Sequence, residues 1–125
     1  MKLNSTEIKR LICAQCDVPN PFNVYTLDRE KELPKTKDVV DFILYGIPKF
    51  RDNQECEDKA LQTIAVANRI APEWCHGIVT GKRLSQGDVH TACIFIDHQK
   101  KVQMYDPDTA MYISYPFEIR LVVIF

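Results

Sequence analysis

Hydrophobic residues along the first half of the chain recur at helical spacing, and those of the second half alternate. In residues 4–15, Ile8, Leu11 and Ile12 form one apolar stripe. Asn4 stands where a cap is needed, with Glu7 three residues on, so the pattern predicts a short capped helix. Asp17-Val18-Pro19-Asn20-Pro21 ends it, because two prolines so close together exclude helix. Val24-Tyr25-Thr26-Leu27 suggests a short extended piece. A second helix is predicted after Pro34, with Thr36 as cap and Val39, Val40, Ile43 and Leu44 facing inward; Gly46 and Ile47-Pro48 stop it. Residues 56–70 carry the third stripe, through Ala60, Leu61, Ile64, Ala65 and Asn68. Asp52 or Asn53 is the expected cap and Ala71-Pro72 the terminator.

After Pro72 the period changes. Residues 74–80, 89–97, 102–105, 111–114 and 118–125 are expected as strands, separated by polar turns at 81–88, 98–100 and Asp106-Pro107-Asp108. Helices first and strands second predict an α+β domain, with N-terminal helices packed on an antiparallel sheet. There is no internal repeat, linker or low-complexity segment, so residues 1–125 are expected to form a single domain.

Composition narrows the function classes. The 125 residues are 46% hydrophobic and 26% charged, with a formal net charge of −1. Lysine and arginine are scattered, which leaves no electrostatic footprint for nucleic acid. No run approaches the ~18 apolar residues of a membrane span, and the first residues turn polar at once, unlike a signal peptide. Cys13, Cys16, Cys56, Cys75 and Cys93 make an odd count without a secretory signal, which points to reduced thiols and a cytoplasmic location.

Three residues stand out as candidate chemistry. Cys56 sits at the first turn of the third helix, where unpaired N–H groups and the helix dipole favour a thiolate. His90 opens an apolar strand and Asp106 ends the next one. A three-residue turn at Asp97-His98-Gln99, or a five-residue one centred on the same residue, puts His90 opposite Asp106, with Cβ atoms about 5 Å apart. Cysteine, histidine and acid in that order are the parts of an activated sulfur nucleophile. The backbone N–H of Cys56, with Gln54 or Asn53 as a second donor, would form the oxyanion hole. Glu55, Glu57 and Asp58 oppose this reading, since nearby negative charge raises a thiol pKa.

Each of these residues also has a structural reading. A free cysteine is commonly a small buried hydrophobe, a histidine on an apolar strand is commonly satisfied within the core, and aspartate before proline is a turn former. Cys13 and Cys16 have zinc-ligand spacing, and Cys75-His76 offers two more donors. Adjacent strand residues point to opposite faces, however, so no metal or other cofactor is assigned. The loop at 81–88, leading into His90, is placed to wall a substrate cleft.

The run Cys56-Glu57-Asp58-Lys59-Ala60-Leu61, then Val89-His90-Thr91-Ala92, then Tyr105-Asp106-Pro107 resembles the transglutaminase-like and papain-like cysteine peptidase superfamily. Within it the likeness is to small phage-type proteins and to the C-terminal protease domain of a fungal agglutinin, through Tyr25-Thr26-Leu27 and Asp106-Pro107-Asp108-Thr109. Thr91 interrupts the His-Ala pair, and Phe50 stands where papain-like enzymes place an oxyanion glutamine. The resemblance implies a papain-like or transglutaminase-like core and a thiol hydrolase or acyl transferase. Cys56, His90 and Asp106 would then act on the amide or thioester of a polypeptide or similar substrate. The rival expectation is a non-catalytic binding or inhibitory protein, phage-derived, that retains the fold. A zinc-stabilised interaction module is the third.

Overall fold

The reciprocal cap expected at the first helix is formed. In the computed structural model, which describes residues 1–27 and 30–125, Asn4 Oδ1 accepts from the Glu7 N–H at 2.9 Å and Glu7 Oε1 accepts from the Asn4 N–H at 3.3 Å. That box opens helix α1 (Ser5–Gln15) and leaves Ile8 and Ile12 fully buried. Just before it, strand β1 (Lys2–Asn4) pairs antiparallel with strand β3 (Glu30–Glu32) in a separate two-stranded sheet. Between these lies strand β2 (Val24–Thr26), which runs parallel to the last strand of the main sheet.

The second helix departs from its expected course. Helix α2 (Thr36–Asp41) starts as predicted, but Lys35 occupies the cap position. Thr36 instead donates its hydroxyl to Asp97 Oδ2 at 3.1 Å, tying the helix start to the sheet. The chain then widens into a π-turn, Phe42–Gly46, closed by the Ile47 N–H on the Phe42 carbonyl at 3.1 Å. The wider turn changes the angular position of each following side chain, so Leu44 faces solvent rather than the core.

Helix α3 (Cys56–Ile70) has the predicted limits, but its cap is Glu55 rather than Asp52 or Asn53. The Glu55 N–H reaches Asp58 Oδ2 at 3.3 Å. Ala60, Thr63, Ile64 and Ala67 form its buried face. Leu61, expected on that face, is exposed.

The main sheet has six strands in the order β2-β8-β4-β5-β6-β7: β4 (His76–Arg83), β5 (Asp88–Ile96), β6 (Val102–Asp106), β7 (Met111–Tyr112) and β8 (Phe117–Ile124). All its pairings are antiparallel except that of β2 with β8. The 81–88 segment is therefore half strand and half a four-residue turn, in which Gly87 adopts φ +74°, a left-handed conformation suited to glycine. Close approach of β4 to β8 depends on Gly77 and Gly81. A Cβ at 77 would collide with the Val123 carbonyl oxygen, and one at 81 would lie 2.5 Å from that of Glu118.

Side chains that alternate along β5 face two different packed layers. Ala92, Ile94 and Ile96 pack in one cluster with Ile8 and Ile12 of α1. Cys93 and Phe95 pack in the other with Ala60 and Ile64 of α3 and Tyr105 of β6. Burying each such aliphatic or aromatic side chain contributes about 1.5–3 kcal/mol, so both layers hold the sheet between helices. The result is a mixed α/β architecture of three helices on a six-stranded sheet. No helix among the described residues is long and apolar enough to cross a membrane.

Candidate functional site

The β5–β6 hairpin is centred one residue later than the sequence pattern suggests, which shifts each pairing by two. Ile96 pairs with Val102 and Cys93 with Tyr105, so the connection spans residues 97–101. Asp97 builds that turn: its Oδ1 accepts from the N–H groups of Gln99 (2.9 Å) and Lys101 (3.0 Å). One further step along the ladder faces Asp106 toward Ala92, not His90, which corrects the expected direct opposition. His90 and Ala92 nevertheless share a face, because side chains two apart along a strand point the same way. The diagonal is short enough to bridge. His90 Nε2 lies 2.9 Å from Asp106 Oδ2, with both side chains largely buried.

Asp106 serves the turn as well. Its Oδ1 accepts from the Asp108 N–H at 3.1 Å, and its carbonyl accepts from the Ala110 N–H at 2.9 Å. The turn-former and histidine-partner readings of this residue therefore hold together. Asp108 in turn receives Lys59 of α3 at 2.9 Å, which pins the turn to the helix.

Cys56 is the first residue of α3, and its thiol has a local partner. Its Sγ donates to Glu57 Oε2 at 3.2 Å. Burial raises its pKa above the ordinary thiol range; the Thr91 backbone and hydroxyl lower it and Glu57 raises it further, with a net upward shift. Burial and Glu57 thus outweigh the groups that favour the thiolate. By strand alternation Thr91 shares the face of Cys93 and Phe95, and His90 that of Ala92 and Ile94. Among the described residues, no hydrogen bond joins Cys56 to His90. The histidine–acid pair is assembled, and the Cys56 thiol is partnered by Glu57 and by Thr91, the neighbour of His90.

The two side-chain oxyanion candidates lie in the loop that leads into α3. Gln54 Nε2 donates to Gln62 Oε1 at 2.7 Å, and its Oε1 accepts from the Arg51 N–H at 2.6 Å, so its amide is committed to the loop. Asn53 is exposed on an open polar hollow beside it.

The remaining cysteines are packing residues. Cys75 and Cys93 are fully buried, and Cys13 and Cys16 are half-buried against the α1 layer. His76 lies across the sheet from Cys75, enclosed by Phe42, Trp74, Phe95 and Tyr105, with Nε2 2.6 Å from the Tyr105 hydroxyl. Among the described residues, no group of three or more His, Cys, Asp or Glu is arranged to hold a metal.

Next to the His90–Asp106 pair the strand ends open into a groove of about 240 Å³. Arg83, Asp106, Thr109, Tyr112, Ser114 and Tyr115 line it. Arg83 is held by Asp88, with Nε 2.8 Å from Oδ1. The sequence marked residues 81–88 as a cleft wall. The tyrosines and hydroxyls of 109–115 went unnoticed, since only the β6–β7 return brings them to Arg83.

No protein-family model and no curated protein matches the sequence. Among solved structures the chain is similar to PSL1a in its complex with E64, with a TM-score of 0.79 at 14% identity, covering 98% of this chain and 51% of that one. It is also similar to the Polyporus squamosus lectin bound to the human-type influenza-binding epitope Neu5Acα2-6Galβ1-4GlcNAc, with a TM-score of 0.76 at 12% identity, covering 98% and 49%. What they share is a fold. The chain spans about half the length of those solved structures. Both are structures of a lectin, which corrects the expected membership of the papain-like and transglutaminase-like peptidases, and with it the expectation of a cysteine-triad hydrolase or acyl transferase.

Proposed function

We propose that residues 1–125 act as one non-catalytic binding domain that takes a carbohydrate, with the groove beside His90 and Asp106 as its site. The observation that carries this reading is the lining of that groove. A carboxylate, hydroxyls and tyrosine rings converge in a space that suits one or two sugar rings. Sugars present hydroxyls to polar side chains and C–H faces to aromatic rings, so a few fixed polar groups on an apolar floor give orientation and specificity. Asp106 accepts from ligand hydroxyls while His90 holds it in place, Thr109 and Ser114 add donors, and Tyr112 and Tyr115 supply the stacking surfaces. Cys56 remains a thiol under α3. The lectin that shares the fold binds a sialylated glycan, and this supports the ligand class.

The test is a titration of the isotope-labelled chain, followed by NMR, with Galβ1-4GlcNAc and with Neu5Acα2-6Galβ1-4GlcNAc. A parallel sample is incubated with E64 and weighed. Saturable shifts confined to residues 83 and 106–115, with no gain in mass, are expected. Absence of saccharide shifts would overturn the assignment. So would a mass increase on Cys56, or amide-bond turnover that disappears in Cys56→Ala.

A further inference from the structure

A second concavity, of about 330 Å³, lies where α2 and its π-turn meet Ile70 at the end of α3 and Trp74, and has a different chemistry. Its walls are aromatic: Phe42, Tyr45 and Trp74 line it, with the Phe42 and Trp74 rings edge to face at 6.4 Å. Its rim is acidic, formed by Asp38 and Asp41 one helical turn apart on α2. Neither carboxylate has an ion pair or side-chain hydrogen bond among the described residues.

The fold builds this hollow at some cost. The π-turn carries Tyr45 to the edge of the hollow at 85% exposure, an unusual position for a large ring. Gly46 lets the Phe42 ring lie flat against the turn, since a Cβ there would stand 2.5 Å from Phe42 Cδ1. Single-turn π segments of this sort occur often at functional sites. Trp74 is held by its own tight turn, with its N–H on the Ala71 carbonyl at 3.2 Å.

We propose that this pocket binds a small organic cation, an alkylammonium such as a quaternary amine. Ring faces carry negative quadrupole density, and cations with a diffuse, weakly hydrated charge gain most from them. Two unpaired carboxylates at the mouth add attraction of the same sign. A neutral ligand of equal shape would gain only the apolar contact, and an anion would be repelled. This site is independent of the groove at Asp106, so either assignment can fail alone.

Trp74 is the sole tryptophan, which makes its emission a local reporter. The probes are choline and its neutral isostere 3,3-dimethyl-1-butanol, each titrated into the full chain, with the Trp74 indole N–H followed by NMR in parallel. Choline is expected to give a saturable change with at least about tenfold tighter binding than the isostere, weakening as salt is raised. Asp38→Asn/Asp41→Asn should weaken choline severalfold and leave the isostere unchanged. Tyr45→Ala, at a position too exposed to matter for folding, should weaken choline as well. Equal binding of the two probes, no saturable response to choline by either readout, or full affinity in both variants would overturn the proposal.

Discussion

His90 and Asp106 meet through a 2.9 Å contact between Nε2 and Oδ2 although they lie diagonally, not opposite, across the β5–β6 hairpin. The pair survives because the turn lengthened by two residues, which preserves the face each side chain occupies. A change of one would have sent Asp106 to the other side of the sheet.

That contact yields the first prediction. His90→Ala and Asp106→Asn should each destabilise the chain, and the double variant should cost less than their sum. A coupling of about 0.5–1.5 kcal/mol is expected for a partly buried, charge-capable hydrogen bond. Asparagine at 106 retains an acceptor for the Asp108 N–H, so the turn is kept while the carboxylate is removed. Urea denaturation of the four proteins measures it; additive effects would mean that the contact contributes nothing to stability.

Cys56 supplies the second. With its thiol pKa raised by burial and by Glu57, alkylation by iodoacetamide at pH 7 should be slower than for a free cysteine, and should accelerate only as pH climbs beyond the ordinary thiol range. Glu57→Gln removes the acceptor and the negative charge, so its rate profile should move to lower pH. Mapping the modified peptide by mass spectrometry at a series of pH values decides this. Rapid, Cys56-selective labelling at neutral pH would restore the nucleophile and remove the basis for a non-catalytic site.

Much of this fold was legible because local signals agreed with the global outcome. The Asn4–Glu7 box, the apolar stripe of 56–70 and the alternation after Pro72 each encode one element by itself. What stayed hidden depends on contacts between distant segments. Strand β2 is three residues long and exists through its parallel pairing with β8, which no local pattern encodes. The π-turn at Phe42–Gly46 has the composition of ordinary helix. At the site, the His90–Asp106 pairing followed from strand parity. The place of Cys56 relative to it depends on how α3 sits on the sheet, which no local spacing encodes.

The third prediction concerns β4. Gly77→Ala places a methyl against the Val123 carbonyl oxygen, backbone that has no freedom to withdraw without breaking the β4–β8 ladder. Gly81→Ala meets the Glu118 carbonyl, also ladder backbone, but at 2.5 Å, a milder approach than at Gly77, and its other neighbour, the Phe117 ring, can rotate. Overpacking of this kind costs about 1–3 kcal/mol, with Gly77 expected at or above the upper end and Gly81 below it. Thermal melting of both variants gives the order, and the reverse order would show that the bulge between Thr80 and Gly81 is the stiffer part of the ladder.

The last prediction concerns acid. His76 is buried among four aromatic rings, and burial alone depresses its pKa from 6.5 to about 3. Its Nε2 meets the Tyr105 hydroxyl, while Nδ1 is buried without a partner. Neutral imidazole is therefore the folded form. Above pH 6.5 the ring is neutral in both folded and unfolded chains and contributes no pH dependence. As pH falls below 6.5 the unfolded chain takes up a proton that the folded chain refuses, so stability declines by about 1.4 kcal/mol per pH unit until the folded pKa is reached. Urea midpoints between pH 7 and pH 4 should fall accordingly. His76→Gln keeps a hydrogen-bonding side chain but cannot protonate, so it should be less stable at pH 7 and lose markedly less on acidification. Parallel pH profiles for the two proteins would place the acid sensitivity in another group.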